Sequence, residues 1–420
     1  MSLRLGIDVG TTGVRTAVLL PDGACLSTAR SHHLPQGAQI DARKWWEAVA
    51  QCVHLQVTAL ERLGHTGTEV TGIAIAGTSG SMVLTDRALE PVSPALMYNS
   101  KGFEAEAAQI AQVAPEGGIA KGPNSALARA LRLVSCADRA PAHLLHQADY
   151  VAARFLGAGG LSDHSNALRT GFDAEAEQWP PWVTALFEPG LLPRVQPVGS
   201  AYGQISGAVA RDLGVSPQAV LYAGTTDSIA AFLAAAPRRV GAAVTSLGST
   251  LAVYVMGPRR IEDAASGLHS HRVGNNWLVG GASNTGGAVL AHHFPGDALV
   301  RLSAQIDPRQ PSGLSYYPLL RAGERFPIND PALAPCLSPR PERDSLFLHA
   351  LLEGMATIEA QCYATIEQLG GGRPDAIYTA GGGAQNQAWS AIRARNLPAP
   401  LLPGAYTQPS IGVATLAKWQ

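Results

Sequence analysis

Charge is scarce in this chain. Asp, Glu, Lys and Arg make up 15% of its 420 residues, against about a quarter in an ordinary globular domain. The two signs balance, with 31 basic and 32 acidic residues and a formal net charge of −1. That balance leaves no electrostatic footprint for nucleic acid or an acidic membrane, and no run of like charges forms an interaction tail. Cysteine is sparse as well. Cys25, Cys52, Cys136, Cys336 and Cys362 are odd in number and contain no C-x-x-C, so neither a disulfide framework nor a zinc site is expected. Reduced thiols in a reducing compartment are the plain reading. No uncharged apolar run approaches the roughly 18 residues of a membrane-spanning helix. Asp8 and several glycines precede any apolar stretch long enough for a signal peptide. The expected location is the cytoplasm. Missing too are G-x-x-x-x-G-K-[ST] and a G-x-G-x-x-G after the first strand, which excludes Walker-type and Rossmann nucleotide sites. G-x-S-x-G, H-E-x-x-H and paired glycosidase carboxylates are likewise absent.

What the chain has in quantity is apolar residues, 46%, and 45 glycines. At roughly 100–200 residues per domain, its length suits two or three domains. Leu3 to Val9 reads as a strand, Gly10-Thr11-Thr12-Gly13 as a tight turn and Val14 to Leu20 as a second strand. Asp41 to Leu63 has helical spacing with Trp45, Val49, Val53 and Val57 on one stripe and Asp41 as the N-cap. Val70 to Ala76 is a short buried strand running into Gly77-Thr78-Ser79-Gly80-Ser81. Asn124 to Leu156 reads as mainly helical, Ser162 to Asp173 as a polar loop, and Val220 to Ala223 as a strand entering Gly224-Thr225-Thr226-Asp227. A second strand–turn–strand unit follows, Gly241 to Leu247, Gly248-Ser249-Thr250 and Leu251 to Met256, which repeats the opening architecture without repeating its residues. Pro237-Arg238-Arg239 marks the junction, giving domains 1–236 and 237–420. The second half continues with a strand at Trp277 to Val279, a glycine-rich helix start at Gly280 to Gly287, a long Pro-rich loop, a helix from Asp344 to Leu369, and a strand before Gly381-Gly382-Gly383.

Four turns rich in glycine and hydroxyls or amides follow apolar strands: residues 8–13, 77–81, 247–250 and 381–386. Such turns bare backbone N–H groups and allow close approach, which suits phosphate oxygens. Hairpin geometry alone accounts for any single one of them; two at equivalent places of a repeat point to a ligand. Asp8, at a strand end before the first turn, suits either a cap for the turn amides or a magnesium carboxylate. Asp227, between a strand and a helix, suits either an N-cap or a general base for phosphoryl transfer. The pairs His32-His33 and His292-His293 lack ligand-spaced partners and read as surface or packing residues. Trp45-Trp46 reads as core plus rim rather than as a sugar platform.

Taken together, these motifs resemble those of the FGGY carbohydrate kinases over nearly the full chain. Gly6-Ile7-Asp8-Val9-Gly10-Thr11-Thr12-Gly13 is similar to the family's first phosphate motif, and Gly224-Thr225-Thr226-Asp227 to its G-x-x-D motif. Thr245 to Thr250 is similar to its second phosphate turn and Gly381-Gly382-Gly383-Ala384-Gln385-Asn386 to its adenosine motif. Gly323 to Pro327 resembles a family loop; Asp163, Asn166-Ala167 and Gly171-Phe172-Asp173 resemble another. The resemblance implies an α/β fold of two actin-like ATPase (ribonuclease H-like) domains with an interdomain active-site cleft. It implies ATP-dependent phosphorylation of a sugar hydroxyl, with Asp227 as the base and Asp8 on the magnesium side. Gly10, Thr11, Thr12, Gly248, Ser249 and Thr250 would then hold phosphates. Gly381, Gly382, Gly383 and Asn386 would line the adenosine, and Ser79, Asn99, Asp8 and Asp227 the sugar. Where many members carry W-x-D-x-R, this chain has Met97-Tyr98-Asn99-Ser100-Lys101, and it lacks the glutamate common before the final helix. That stretch, the short length and the 323–331 loop resemble the small pentulose-kinase branch, with D-ribulose as the first expected substrate and D-xylulose as the second. Kinases for glycerol, a hexulose or another polyol, and a sugar-responsive nucleotide-binding regulator, are the alternatives; an acceptor-activating Asp227 favours an enzyme. The partners expected are the sugar and ATP, without nucleic acid or membrane, in a monomer or homodimer.

Overall fold

The computed structural model describes residues 2–32, 39–115 and 120–417, and its chain divides into two compact units. Unit 1 holds the described residues of Met1–Ala234, Arg272–Gly274 and Gln408–Gln420; unit 2 holds Ala235–His271 and Asn275–Thr407.

Unit 1 opens with β1 (Leu3–Val9), β2 (Gly13–Leu19) and β3 (Cys25–His32), an antiparallel meander with Val9 opposite Val14. Helix α1 (Arg43–Arg62) follows, burying Trp45, Val49, Val53 and Leu60 on one stripe. Its N-cap is Ala42, not Asp41 as expected. Asp41 lies one residue too early, and its carboxylate accepts from the Arg43 amide at 3.0 Å instead. Next come β4 (Val70–Gly77), β5 (Met82–Thr85), α2 (Ala126–Ser135), β6 (His143–His146) and α3 (Gln147–Leu156). The stretch expected to be mainly helical is therefore broken by β6, which pairs with β5. The expected polar loop at 162–173 is also corrected. It contains β7 (Leu161–Asp163) and α4 (His164–Leu168), with Ser162, Asp163, His164, Ser165 and Asn166 all buried. Asp163 caps α4 through the amides of Ser165 and Asn166, so polarity there is internal hydrogen bonding rather than solvation. β8 (Ala201–Gln204), β9 (Val220–Thr226) and α5 (Asp227–Ala235) complete the run, and the sheet order is β8-β9-β4-β1-β2-β3.

Unit 2 repeats the layout. β10 (Ala242–Leu247), β11 (Leu251–Gly257), β12 (His269–Val273) and β13 (Asn276–Ser283) lead to α6 (Gly287–His293) and α7 (Ala298–Ser303). The expected helix start at Gly280 to Gly287 falls at the last of those residues. Gly280 and Gly281 belong to β13, where Gly280 faces Tyr254 across the ladder, and α6 begins at Gly287. α8 (Asp344–Gln368), β14 (Ala376–Ala380), α9 (Gln387–Asn396) and β15 (Leu401–Pro403) follow, with sheet order β12-β13-β11-β10-β14-β15. In both units three antiparallel strands give way to two parallel ones, β3-β2-β1-β4-β9 and β13-β11-β10-β14-β15. The final helix, α10 (Pro409–Ala414), belongs to unit 1 and packs on β1. Among the described residues no helix is long and apolar enough to cross a membrane. Trp45 is fully buried and Trp46 partly so, edge-on to Tyr150 and Phe155 respectively. His32 and His292 are exposed, and His33 lies outside the described residues.

Candidate functional site

In unit 1 the C-terminal ends of three parallel strands lie side by side. Val9 of β1 is level with Gly77 of β4, and Thr226 of β9 is level with the same Gly77. Neighbouring strands stand about 4.8 Å apart. Asp8, the Thr78-Ser79 pair and Asp227 therefore emerge together at the edge where open α/β sheets hold ligands.

Asp8 is 2% exposed. Its carboxylate accepts from Arg15 Nη1 at 3.3 Å, not from a turn amide. Burial, and next the nearby charge of Asp227, push it up from 3.8 to about 6 against the pull of Arg15. Burial also raises Asp227, opposed by the Ser228 amide at 2.7 Å and by the charge of Arg169. A carboxylate held up in this way is a better proton acceptor at neutral pH. The turn after β1 is closed by the Gly10 amide on the Gly13 carbonyl at 2.9 Å, with Thr11 half-buried and Thr12 exposed. Ser79 carries a buried hydroxyl with no protein partner among the described residues, whereas Asn99 is exposed.

Unit 2 holds a cavity of about 1100 Å³. Gly248, Ser249, Gly382, Gly383 and Asn386 line it, joined by apolar side chains of α6, α7 and α9. No charged residue is on its wall, which suits a neutral aromatic group such as a nucleobase with its sugar. Thr250 and Gly381 do not line it. Gly381 adopts φ +86°, and a Cβ there would meet the Leu247 carbonyl oxygen at 2.6 Å, so this glycine lets the 381–386 turn close on β10. Asn386 uses both ends of its amide. Oδ1 accepts from the Trp389 amide at 3.0 Å as the cap of α9, and Nδ2 donates to Ser303 Oγ at 2.9 Å. The sequence reading expects a helix here but not its place at the site, where the Gly287 and Ala288 amides of α6 bond the carbonyls of Gly248 and Ser249 at 2.8 and 3.0 Å. It also missed Arg15, Arg129, Gln147 and Arg169, which no local pattern marks.

This doubled five-strand layout is the two-domain actin-like ATPase fold. The chain belongs to the FGGY family of carbohydrate kinases. The family's N-terminal domain matches residues 3–119 and its C-terminal domain residues 243–420. A xylulose kinase of Streptomyces coelicolor is 27% identical over 291 residues, 62% of this chain but only 56% of the relative, so the matched part spans about half of that protein. A xylulose kinase of Escherichia coli is 23% identical over 445 residues, covering 99% of this chain and 89% of the relative. The crystal structure of xylulose kinase from Rhodospirillum rubrum matches the fold with a TM-score of 0.85 at 22% identity, over 99% of this chain and 89% of that one.

Proposed function

We propose that the protein is an ATP-dependent carbohydrate kinase acting on a pentulose, with D-ribulose first and D-xylulose second. The observation that carries the reading is a pair of carboxylates, buried Asp8 and half-buried Asp227, raised at the ends of strands that flank the same central strand. In this reading residues 1–236 hold the acceptor and the base, and residues 237–420 hold the nucleotide. Adenosine occupies the neutral cavity against Gly382, Gly383 and Asn386, with Gly381 shaping its turn. The turns at Gly10-Thr11-Thr12 and Gly248-Ser249-Thr250 receive phosphate oxygens on backbone N–H groups and hydroxyls. Ser79 and Asn99 bind sugar hydroxyls. Asp227 takes the proton of the attacking hydroxyl as its oxygen bonds to the γ-phosphorus and the bond to the ADP oxygen breaks. Asp8 fits a magnesium site, because one long contact to the half-exposed Arg15 leaves most of a buried carboxylate's acceptor capacity unused, and magnesium takes one or two carboxylates beside phosphate oxygens. The ion would supply charge neutralisation on the phosphates. None of the five cysteines is in a disulfide, which suits a reducing compartment, which we take to be the cytoplasm.

The names of the relatives favour D-xylulose, whereas the Met97 to Lys101 stretch and the 323–331 loop favour D-ribulose. ADP release measured over D-ribulose, D-xylulose, glycerol and gluconate tests both. A pentulose should raise the rate of ADP release clearly above the sugar-free rate. No response to any member of the panel would overturn the kinase reading in favour of a regulatory one.

A further inference from the structure

The turn carrying Ser79 is held on both sides of that residue and left open at it. Thr78 is pinned by Gln147, whose Oε1 accepts from the Thr78 amide at 2.8 Å and from Thr78 Oγ1 at 2.7 Å. Gly80 is pinned by Arg129, whose Nε donates to the Gly80 carbonyl at 3.0 Å. Both anchoring side chains are buried, Gln147 at 0% and Arg129 at 3% exposure. Between the anchors, the Ser79 hydroxyl is buried with no protein partner among the described residues. Gly80 itself has φ +85°, and a Cβ there would lie 2.9 Å from Arg129 Nη2. The position thus needs glycine both for its backbone and for the guanidinium against it.

The hydrogen-bond directions are determined. The Thr78 amide can only donate, so Oε1 and not Nε2 of Gln147 must face it. Thr78 Oγ1 spends its proton on the same Oε1 and so accepts from Ser81 Oγ at 2.6 Å. Ser81 Oγ in turn accepts from the Tyr98 amide at 3.0 Å. One carboxamide therefore anchors a chain reaching from the 77–81 turn to the residue before Asn99. Backbone register supports the same placement, with Met82 opposite His146 and the Gln147 amide on the Ser81 carbonyl at 2.9 Å. A buried hydroxyl left without a hydrogen-bond partner is costly. A rigid frame built around it is the arrangement expected where a ligand hydroxyl completes the bond.

We propose that Gln147 and Arg129 are positioning residues for the sugar: they hold Ser79 from either side, and Gln147 also sets the 97–99 segment through Thr78 and Ser81. This rests on the reading of unit 1 as the acceptor half. Steady-state kinetics of the full chain with the best pentulose and ATP tests it, using Gln147→Met, Arg129→Met and Arg129→Lys. Gln147→Met should raise KM for the sugar by about tenfold or more, since small misplacements of binding groups are costly, with KM for ATP within about twofold. Arg129→Met should do the same, and Arg129→Lys, which keeps a donor for the Gly80 carbonyl, should recover much of the loss. A merely structural role predicts a lower melting temperature with no selective rise in sugar KM, and that result would overturn the proposal while leaving the kinase reading intact. Should Gln147→Met fail to fold, Thr78→Val decides, because it removes only the hydroxyl link and keeps the shape; an unchanged sugar KM there counts equally against the proposal. A wild-type protein that responds to no sugar would overturn both readings.

Discussion

The two units share a strand order but treat buried charge in opposite ways. Under the first turn of unit 2, Glu359 of α8 meets Arg393 of α9 through two hydrogen bonds of 2.7 and 2.8 Å, both side chains fully buried. Thr245 of β10 donates to the same carboxylate and contacts Tyr363, while Arg393 also reaches Thr379 of β14. That network is a staple: it joins the sheet to two helices and leaves little charge uncompensated. At the corresponding strand ends of unit 1, Asp8 has one contact at 3.3 Å, and Asp227 has the amide of the next residue. Both are pushed upward by burial. Compensated charge stabilises a fold, whereas undercompensated charge is retained where chemistry uses it.

The sharpest way to break this contrast is Asp227→Asn. Loss of a positioned base should lower kcat by about 10²–10⁴-fold, or roughly 3–5 kcal/mol of barrier, with nucleotide affinity and melting temperature little changed. In the wild type, kcat/KM should fall on the acid side with an apparent pKa above the ordinary 3.8, because protonation removes the base and burial raises its pKa. A loss in kcat under about fivefold would show that the half-buried charge at Asp227 serves something other than proton transfer.

Stability should show the reverse asymmetry. Glu359→Ala leaves a buried guanidinium unpaired and should cost about 3–5 kcal/mol in urea unfolding. Asp8→Asn should instead stabilise the magnesium-free protein at neutral pH. The folded-state pKa of Asp8 lies above its unfolded value, so its carboxylate opposes folding above about pH 6 and has no effect once both states are protonated, below about pH 4. The gain from Asn should therefore be present at pH 7 and vanish at low pH. Equal losses from both variants would erase the distinction between staple and site.

How much of this was legible beforehand depends on whether the signal is local. Turns after apolar strands are local, and those within 8–13, 77–81, 247–250 and 381–386 are legible for that reason, whereas the strand read as ending at Ala223 runs on through Thr226 straight into α5. Pairing across the sheet is not, so the level placement of Val9, Gly77 and Thr226 needed the structure. Buried polar residues misled the reading most. Residues 162–168 look solvated in sequence, yet they form a strand and a helix in which Asp163 accepts from the Ser165 and Asn166 amides and from Asn166 Nδ2. Gly280 and Gly281 look like a helix-entry turn, but they are strand residues against which Tyr254 and Phe326 pack closely. Gln147 sits at the first position of a helix with nothing to mark it, because its partner Thr78 is 69 residues away.

The smallest expected effect is the most discriminating within unit 2, where the cavity wall lacks charge and binding must rest on shape and single hydrogen bonds. Asn386 combines a helix cap with the link to Ser303. Asn386→Ala removes both and should cost about 1 kcal/mol of stability while raising KM for ATP several-fold, an energy of about 1 kcal/mol at 1.4 kcal/mol per tenfold. Asn386→Asp keeps an oxygen for the Trp389 amide but offers Ser303 no amide donor, and it brings a negative charge into a neutral cavity. It should restore the melting temperature without restoring KM for ATP. Melting curves and ATP titrations on the two variants separate the roles. If KM follows melting temperature in both, Asn386 is only a cap, and the neutral cavity binds its ligand through the backbone and apolar wall alone.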